Sequence, residues 1–195
     1  DALYPILASQ AQFQLDMLAN ESDILQLNHP SRSALLDSAR LVQIEGYDIM
    51  ELSGVNAYLE NKHWDWALSA GHYSFGLAND DLHYPDRPGA IAVRCNFLCT
   101  PSATYDDIRR TLLSGCFYAM RIPNYGNGDW EVKYAKNREL PRIENIGIEG
   151  QEGFIELSEV ADSILFTGQD HYRQQLVVGS ESARYKLGDN EPYTR

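Results

Sequence analysis

Three residues of this chain have the clearest potential for chemistry: His29, Asp81 and His83. Each of them follows a short apolar segment of the kind that forms a buried strand. In an extended backbone, residues i and i+2 point to the same side, so Asp81 and His83 can present an oxygen and a nitrogen to one point. Imidazole and carboxylate groups are ligands of divalent transition metals. The spacing therefore indicates a metal site.

Each feature alone also has an ordinary structural explanation. Asp and His are common in loops, and a single His at the end of a strand often only satisfies a hydrogen bond. Arg32 could hold a phosphate oxygen bidentately or lie on the surface. Glu51 could orient groups behind the metal ligands or hydrogen-bond a neighbouring loop. The residues by themselves leave both interpretations open.

Alternating strands and helices have to position these residues. Three apolar segments predict buried strands, at residues 23–27, 47–52 and 73–78. A helical pattern at 57–70 precedes the third strand, and this alternation favours a parallel sheet with right-handed crossovers. The carboxyl ends of parallel strands share one edge, where functional residues gather. The residues placed at that edge, or rim, are His29, Glu51, Asp81 and His83.

Five ordered motifs between Asp23 and Met120 extend this pattern. They are Asn28-His29-Pro30-Ser31-Arg32, Asp48-Ile49-Met50-Glu51-Leu52, Trp64-Asp65-Trp66-Ala67-Leu68-Ser69-Ala70-Gly71, Gly76-Leu77-Ala78-Asn79-Asp80-Asp81-Leu82-His83 and Leu112-Leu113-Ser114-Gly115-Cys116-Phe117-Tyr118-Ala119. Together they resemble the later half of the PHP family, the polymerase and histidinol phosphatase superfamily. The segment past Ile143, with Ala161–Phe166, resembles the β-rich module that follows the PHP domain in some members.

The resemblance implies an α/β fold, the later half of a distorted (β/α)7 barrel, followed by a small β-sandwich module. It implies hydrolysis of phosphate esters at a site of up to three divalent transition metals, Mn, Fe or Zn. By position, His29, Asp81 and His83 carry over as metal ligands, and Arg32 is the candidate substrate-binding residue. Bound metals would polarise the phosphoryl oxygens and lower the pKa of a water to make the nucleophile. No catalytic residue beyond the metal ligands is implied.

The chain departs from the family pattern upstream of His29. The early H-x-H strand and the later His and Glu ligands of the family have no counterpart there. His63 falls within a predicted helix, His72 lies before a strand at its far end from the rim, and His171 lies in the β module. A barrel without its first strands would expose open edges and apolar surface. We therefore expect the carboxyl-side portion of a longer enzyme, with part of the metal site elsewhere.

The predicted organisation has three parts: the barrel portion at 1–122, a turn-rich linker at 123–142 and an incomplete β-rich module at 143–195. Five short strands are expected in this module, at 143–149, 153–157, 163–166, 175–178 and 183–187. The chain has three cysteines, Cys95, Cys99 and Cys116, and this odd number argues against a disulfide framework. We expect them to be buried residues of strands.

The net charge of −12, with a pI near 4.7, disfavours an extended nucleic acid or an anionic membrane as partner. The charge also suits a protein that concentrates divalent cations, although solubility is the commoner explanation of such a charge. No apolar stretch approaches the roughly 18 residues that span a bilayer. The composition thus predicts a soluble protein, and the resemblance to the PHP family implies a small phosphorylated substrate. Its compartment, whether cytoplasmic, periplasmic or secreted, and its oligomeric state stay open.

A second interpretation is a non-catalytic PHP-like scaffold that presents the β module to a carbohydrate or protein partner. Trp130, Tyr134 and Tyr172 would serve such binding, although aromatic residues in a β module also form its core. A nuclease is a third interpretation, which the acidic charge disfavours.

Overall fold

The computed structural model describes residues 8–32, 36–52, 57–84, 86, 91–121, 130–169 and 174–195; at 57–60 and 130 only the backbone is described. The chain forms two compact units, residues 1–133 and 134–195. The division falls in helix Trp130–Arg138, inside the segment 123–142 that was predicted to be a linker. The expectation of a loop there is wrong for this helix. Lys133, which lies in this helix and belongs to the first unit, is buried. Its side chain is amphipathic rather than apolar, so no apolar repeat marked the helix in the sequence.

The first unit begins with alternating helices and strands. Their bounds are α1 Ala8–Ala19, β1 Gln26–Leu27, a 3-10 turn Pro30–Arg32, α2 Ser38–Leu41, β2 Ile49–Glu51, α3 Ala57–Ser69 and β3 Phe75–Leu77. The three strands form a parallel sheet in the order β1-β2-β3. All three side chains of the central strand β2 are buried. This order brings the carboxyl ends of three consecutive strands to one edge.

The core of this unit lies beneath the sheet, between β2 and helices α2 and α3. The buried residues of this core come from these elements and from the segments flanking them, and they are Leu25, Leu41, Ile44, Tyr47, Met50 and Ala67. The carboxylate of Asp48 fixes the entry to β1 by accepting the N–H of Leu25 at 2.9 Å. Asp37 caps α2 by accepting the N–H of Arg40.

An antiparallel pair completes the first unit. Strand β4 is Arg94–Leu98, helix α4 is Tyr105–Ser114 and strand β5 is Phe117–Arg121. Thr104 caps the start of α4, and Gly115 ends the helix with a φ of 70° that favours glycine. Phe75 and Phe117 meet edge to face at 6.2 Å, so β5 lies near β3. The described strands form an open parallel sheet and a separate antiparallel pair, and the later half of a distorted (β/α)7 barrel stays a prediction.

The second unit contains a three-stranded antiparallel sheet in the order β6-β7-β8. The strands are β6 Ile143–Glu149, β7 Glu152–Thr167 and β8 Gln174–Lys186. The expectation of five short strands is wrong, because the polar segments taken as turns are exposed parts of β7 and β8 beside a register shift between Glu156 and Ala161. The core contains Phe166 stacked on Tyr185 at 5.4 Å. The described residues of this unit give one sheet, and the sandwich stays a prediction.

Candidate functional site

The rim of the parallel sheet holds the residues that the sequence proposed for the metal and phosphate site. His29 follows β1, and its backbone N–H donates to Oε2 of Glu51, the last residue of β2, at 2.7 Å. Asp81 follows β3, and its Oδ2 accepts from Nη2 of Arg32 at 3.3 Å. The three strand ends are therefore connected to one another through side-chain contacts.

Glu51 is the most unusual of these residues, because it is a carboxylate with only 2% of its surface exposed. One oxygen accepts the His29 N–H, whereas the other, Oε1, is buried without a hydrogen-bond partner among the described residues. Buried carboxylate oxygens are ordinarily paired with donors or cations. Glu51 therefore holds the β1 exit in place and leaves one acceptor oxygen open. The sequence suggested that Glu51 either orients groups behind the metal ligands or hydrogen-bonds a neighbouring loop. Its contact with the backbone of His29, a candidate ligand in the segment after β1, fits both roles.

Asp81 lies between Arg32 and His83. Nδ1 of His83 contacts the Asp81 carbonyl oxygen at 2.6 Å and lies 3.6 Å from Oδ1 of the same residue. A carbonyl oxygen only accepts, so Nδ1 carries the hydrogen, and the neutral ring keeps its lone pair on Nε2. This is the tautomer that a histidine needs to bind a metal through Nε2 with Nδ1 held by the backbone.

The backbone at this rim is unusual. The described non-glycine residues with positive φ are His29 at 31°, Asp81 at 51° and Ala92 at 54°. Asp81 is therefore not extended, and the side-by-side arrangement expected of an extended Asp81 and His83 is wrong. The pair meets instead because the His83 ring turns back onto the Asp81 carbonyl. Positive φ at non-glycine residues costs energy and clusters at functional sites.

Asp80 and Asn96 hold the loop after β3 in place. The Asp80 carboxylate accepts three backbone N–H groups, from Ala92 at 2.5 Å, Val93 at 3.0 Å and Arg94 at 2.8 Å. The Asn96 side chain exchanges two hydrogen bonds with the backbone of Ala78, at 2.9 and 2.8 Å. Sequence reasoning missed both positioning roles. The doublet Asp80-Asp81 was the available signal, since one carboxylate of such a pair can bind backbone while the other stays open.

The other histidines lie away from the rim or outside the described residues. His63 Nε2 contacts the Leu36 carbonyl at 3.0 Å, and His72 Nε2 contacts the Val42 carbonyl at 2.7 Å. Both histidines thus tie α3 and its carboxyl end to the segments that flank α2. His171 lies outside the described residues.

The aromatic residues considered for binding have separate outcomes. Tyr134 is exposed on helix α5, Trp130–Arg138, with the Arg138 guanidinium 4.7 Å from its ring centre. The Trp130 side chain and Tyr172 lie outside the described residues.

The donor set at the rim suits a divalent metal in its chemistry, and it is incomplete. The imidazoles of His29 and His83, the carboxylate of Asp81 and the open oxygen of Glu51 are all metal-binding groups. Within the described ranges, no three His, Cys, Asp or Glu side chains converge closely enough to hold an ion. The guanidinium of Arg32 instead supplies the positive charge that faces Asp81.

No family model, curated protein or solved structure matches this chain. Across the described residues, none of the helices has the length and apolar character needed to cross a membrane.

Proposed function

We propose that this protein hydrolyses a small phosphate ester with a metal-activated water, as a PHP-type phosphoesterase. The observation that supports the proposal most is the position of His29, Arg32, Glu51, Asp81 and His83, in pairwise contact, along the carboxyl ends of three adjacent parallel strands. Open parallel sheets place their binding sites at this edge. The resemblance of the rim motifs to the PHP family supplies the reaction class.

His29, Asp81 and His83 would hold the divalent metal, with further ligands outside this set. A bound metal, Mn, Fe or Zn, would polarise the phosphoryl group and lower the pKa of a bound water. His83 is already oriented for this role by the hydrogen bond from Nδ1 to the Asp81 carbonyl. Glu51 positions His29 through its backbone N–H. The chain's own contribution is to hold the His29 backbone and the His83 ring through these two contacts.

Arg32 would bind the phosphate of the substrate. Its side chain is 47% exposed, and its guanidinium pairs with Asp81 through a single nitrogen. A metal bound by Asp81 would compete for that carboxylate and free the planar donor group for a phosphate oxygen. The chain carries a net charge of −12, so an anionic substrate requires such local positive charge. Substrate binding is therefore expected to depend on both the metal and Arg32.

The test combines metal analysis with turnover. The purified protein would be dialysed against Mn²⁺, Fe²⁺ or Zn²⁺, analysed for bound metal and assayed with an aryl phosphate monoester. We expect metal-dependent hydrolysis, with Asp81→Asn and His83→Gln losing about 100-fold or more in kcat/KM. Asp162→Asn is the matched control, because this exposed aspartate lies on β7 in the second unit. Absence of metal and turnover, or equal losses in Asp81→Asn and the control, would reject the proposal.

The non-catalytic scaffold is the second candidate. The observation that favours it is the exposure of aliphatic side chains on the second unit's sheet, such as Ile148 at 65% and Val178 at 71%. Exposed aliphatic groups on a sheet suit a protein partner better than a carbohydrate, which stacks on aromatic rings. The scaffold predicts that the protein binds no metal, shows no turnover and retains a protein partner that Val178→Glu loses. This combination of results would favour the scaffold over the enzyme.

A further inference from the structure

Cys99 and Cys116 lie opposite each other where the β4–β5 pair ends. The register pairs Phe97 with Tyr118 and Leu98 with Phe117, so the next opposed residues are these two cysteines. The Cys99 N–H donates to the Cys116 carbonyl at 2.9 Å, and the two thiols are in hydrogen-bonding contact. Opposed residues of such a hydrogen-bonded pair have Cα atoms about 5.5 Å apart, which is within the range that a disulfide bridges.

Both thiols are free and accessible. Cys99 and Cys116 are exposed, whereas Cys95 is only half-buried. The expectation of buried strand cysteines is therefore wrong for the first two, because they stand just beyond the strands, where the pair meets solvent. Cys95 lies four residues before Cys99 on one strand, roughly 13 Å away, and cannot bridge to it. The chain thus carries one thiol pair and one separate thiol.

A metal is a poorer occupant of this pair than a covalent bond. Structural zinc sites use four protein ligands. In the part of the chain that the structure describes, no third His, Cys, Asp or Glu joins Cys99 and Cys116 to complete a metal-binding group. Two neighbouring thiols without further ligands have a simpler reaction available, which is oxidation to a disulfide.

We propose that Cys99 and Cys116 form a reversible redox site, which closes to an intramolecular disulfide on reaction with a low-molecular-weight disulfide. One cysteine thiolate attacks a sulfur of the oxidant, forms a mixed disulfide and releases the first small thiol. The second cysteine attacks the protein sulfur of that mixed disulfide and releases the second small thiol. The two protein thiols lose two protons and two electrons, and the oxidant gains both as two thiols.

The bridge would enclose residues 99–116, which contain helix α4. Closing a loop restricts the unfolded chain, so oxidation stabilises the first unit. The site lies at the surface, and exposed disulfides are the more easily reduced ones, which makes the reaction reversible. Burial and the neighbouring Cys116 raise the pKa of the Cys99 thiol. Oxidation that begins at Cys99 therefore becomes faster as the pH rises, because the thiolate is the attacking species.

The experiment starts from fully reduced protein freed of reductant and uses glutathione disulfide as the oxidant, between about pH 7 and about pH 9. Remaining thiols are alkylated after denaturation and counted by intact mass. We expect the three alkylated thiols of the reduced chain to fall to one, with a Cys99–Cys116 linked peptide. The midpoint of thermal unfolding should rise by about 5–10 °C and return after dithiothreitol treatment.

Single substitutions separate the pair from the remaining thiol. Cys95→Ser should still form the bridge and leave no alkylated thiol. Cys99→Ser and Cys116→Ser should each stop at a mixed disulfide with glutathione, since the attacking partner is missing. Retention of three free thiols, a linkage that includes Cys95, or dimers linked through Cys99 or Cys116 would overturn the proposal. None of these outcomes depends on metal binding or phosphate-ester hydrolysis.

Discussion

Nη2 of Arg32 lies 3.3 Å from Oδ2 of Asp81, so an ion pair joins the segment after β1 to the segment after β3. The pair passes the end of the central strand β2, where Glu51 binds the His29 backbone. The two side chains keep 47% and 33% of their surface exposed, which means that solvent screens their attraction. The pair therefore contributes little to stability, and its importance lies in bringing a guanidinium to the proposed phosphate site.

Replacement of Arg32 tests this assignment. We expect Arg32→Ala to raise KM for a phosphate ester about 10-fold, the equivalent of one charge-assisted hydrogen bond, with a smaller change in kcat. The free energy of unfolding should change by less than about 1 kcal/mol. Arg32→Lys should give an intermediate KM because lysine keeps the charge and loses the planar donor group.

Arg110→Ala is the matched control for this measurement. Arg110 also forms an exposed ion pair, with Asp107 at 3.0 Å, on helix α4. Steady-state kinetics and urea denaturation of both variants make the comparison. An equal rise of KM in the two variants would show that Arg32 acts only through the net charge of the protein.

Adjacent aspartates at the rim should respond very differently to truncation. Asp80 accepts three backbone N–H groups, whereas the Asp81 carboxylate faces Arg32 and solvent. We expect Asp80→Ala to lower the free energy of unfolding by about 2–4 kcal/mol, because it leaves three amides without their charged acceptor. Asp81→Ala should cost less than about 1 kcal/mol.

Hydrogen exchange gives the local test of this contrast. The amides of Ala92, Val93 and Arg94 should exchange faster in Asp80→Ala and stay protected in Asp81→Ala. Protection that is lost equally in both variants would mean that the loop depends on the pair of charges rather than on Asp80 alone.

The sequence predicted the parallel sheet because hydrophobic runs and helix ends are local signals. The strands that end near His29, Glu51 and Ala78 follow from such signals. The edge residues of the site follow in turn, since parallel strands have a shared carboxyl end.

Other parts of the molecule depend on tertiary contacts that no local pattern encodes. Lys133, the last residue of the first unit, lies in helix α5 and is buried, with its Nζ donating to the Ile91 carbonyl at 3.0 Å, and this polar contact leaves no apolar repeat in the sequence. Neighbouring contacts stabilise the positive φ of Asp81. Because of this φ, Asp81 and His83 do not have the extended, side-by-side arrangement expected from the sequence. Strands β7 and β8 continue through exposed polar residues that looked like turns.

The buried carboxylate of Glu51 provides a further test of the rim. Glu51→Ala should lower the free energy of unfolding by about 1–3 kcal/mol, because the His29 N–H loses its acceptor in a buried position. Glu51→Gln keeps an acceptor oxygen and should cost less. Glu45→Gln is the control, since Glu45 is exposed.

Added metal should distinguish these variants as well. A cation at the rim would give the open Oε1 of Glu51 an opposite charge. We expect Mn²⁺ at roughly 100 times its Kd to stabilise the native protein by about 2.7 kcal/mol, and Glu51→Gln by clearly less at the same concentration. Equal stabilisation of both proteins, measured by urea denaturation with and without metal, would remove Glu51 from the metal environment.

Tyr47 gives the protein a pH dependence at alkaline pH. Burial raises its pKa from 10.0 to about 12, and its hydroxyl has no hydrogen-bond partner among the described residues. The folded state therefore keeps the proton more tightly than the unfolded state. This contribution to stability is fully present below about pH 10 and is lost as the pH rises through about 12. The total loss of stability is about 2–3 kcal/mol. At neutral pH, Tyr47→Phe should be neutral or stabilising by up to about 1 kcal/mol, because it removes an unpaired buried hydroxyl. Above pH 10, the variant should lose stability more slowly than the native protein in urea denaturation.

Tyr73→Phe controls for loss of a hydroxyl, since Tyr73 is 64% exposed. Parallel pH profiles for native protein and Tyr47→Phe would mean that the Tyr47 hydroxyl reaches solvent or a partner in the folded state.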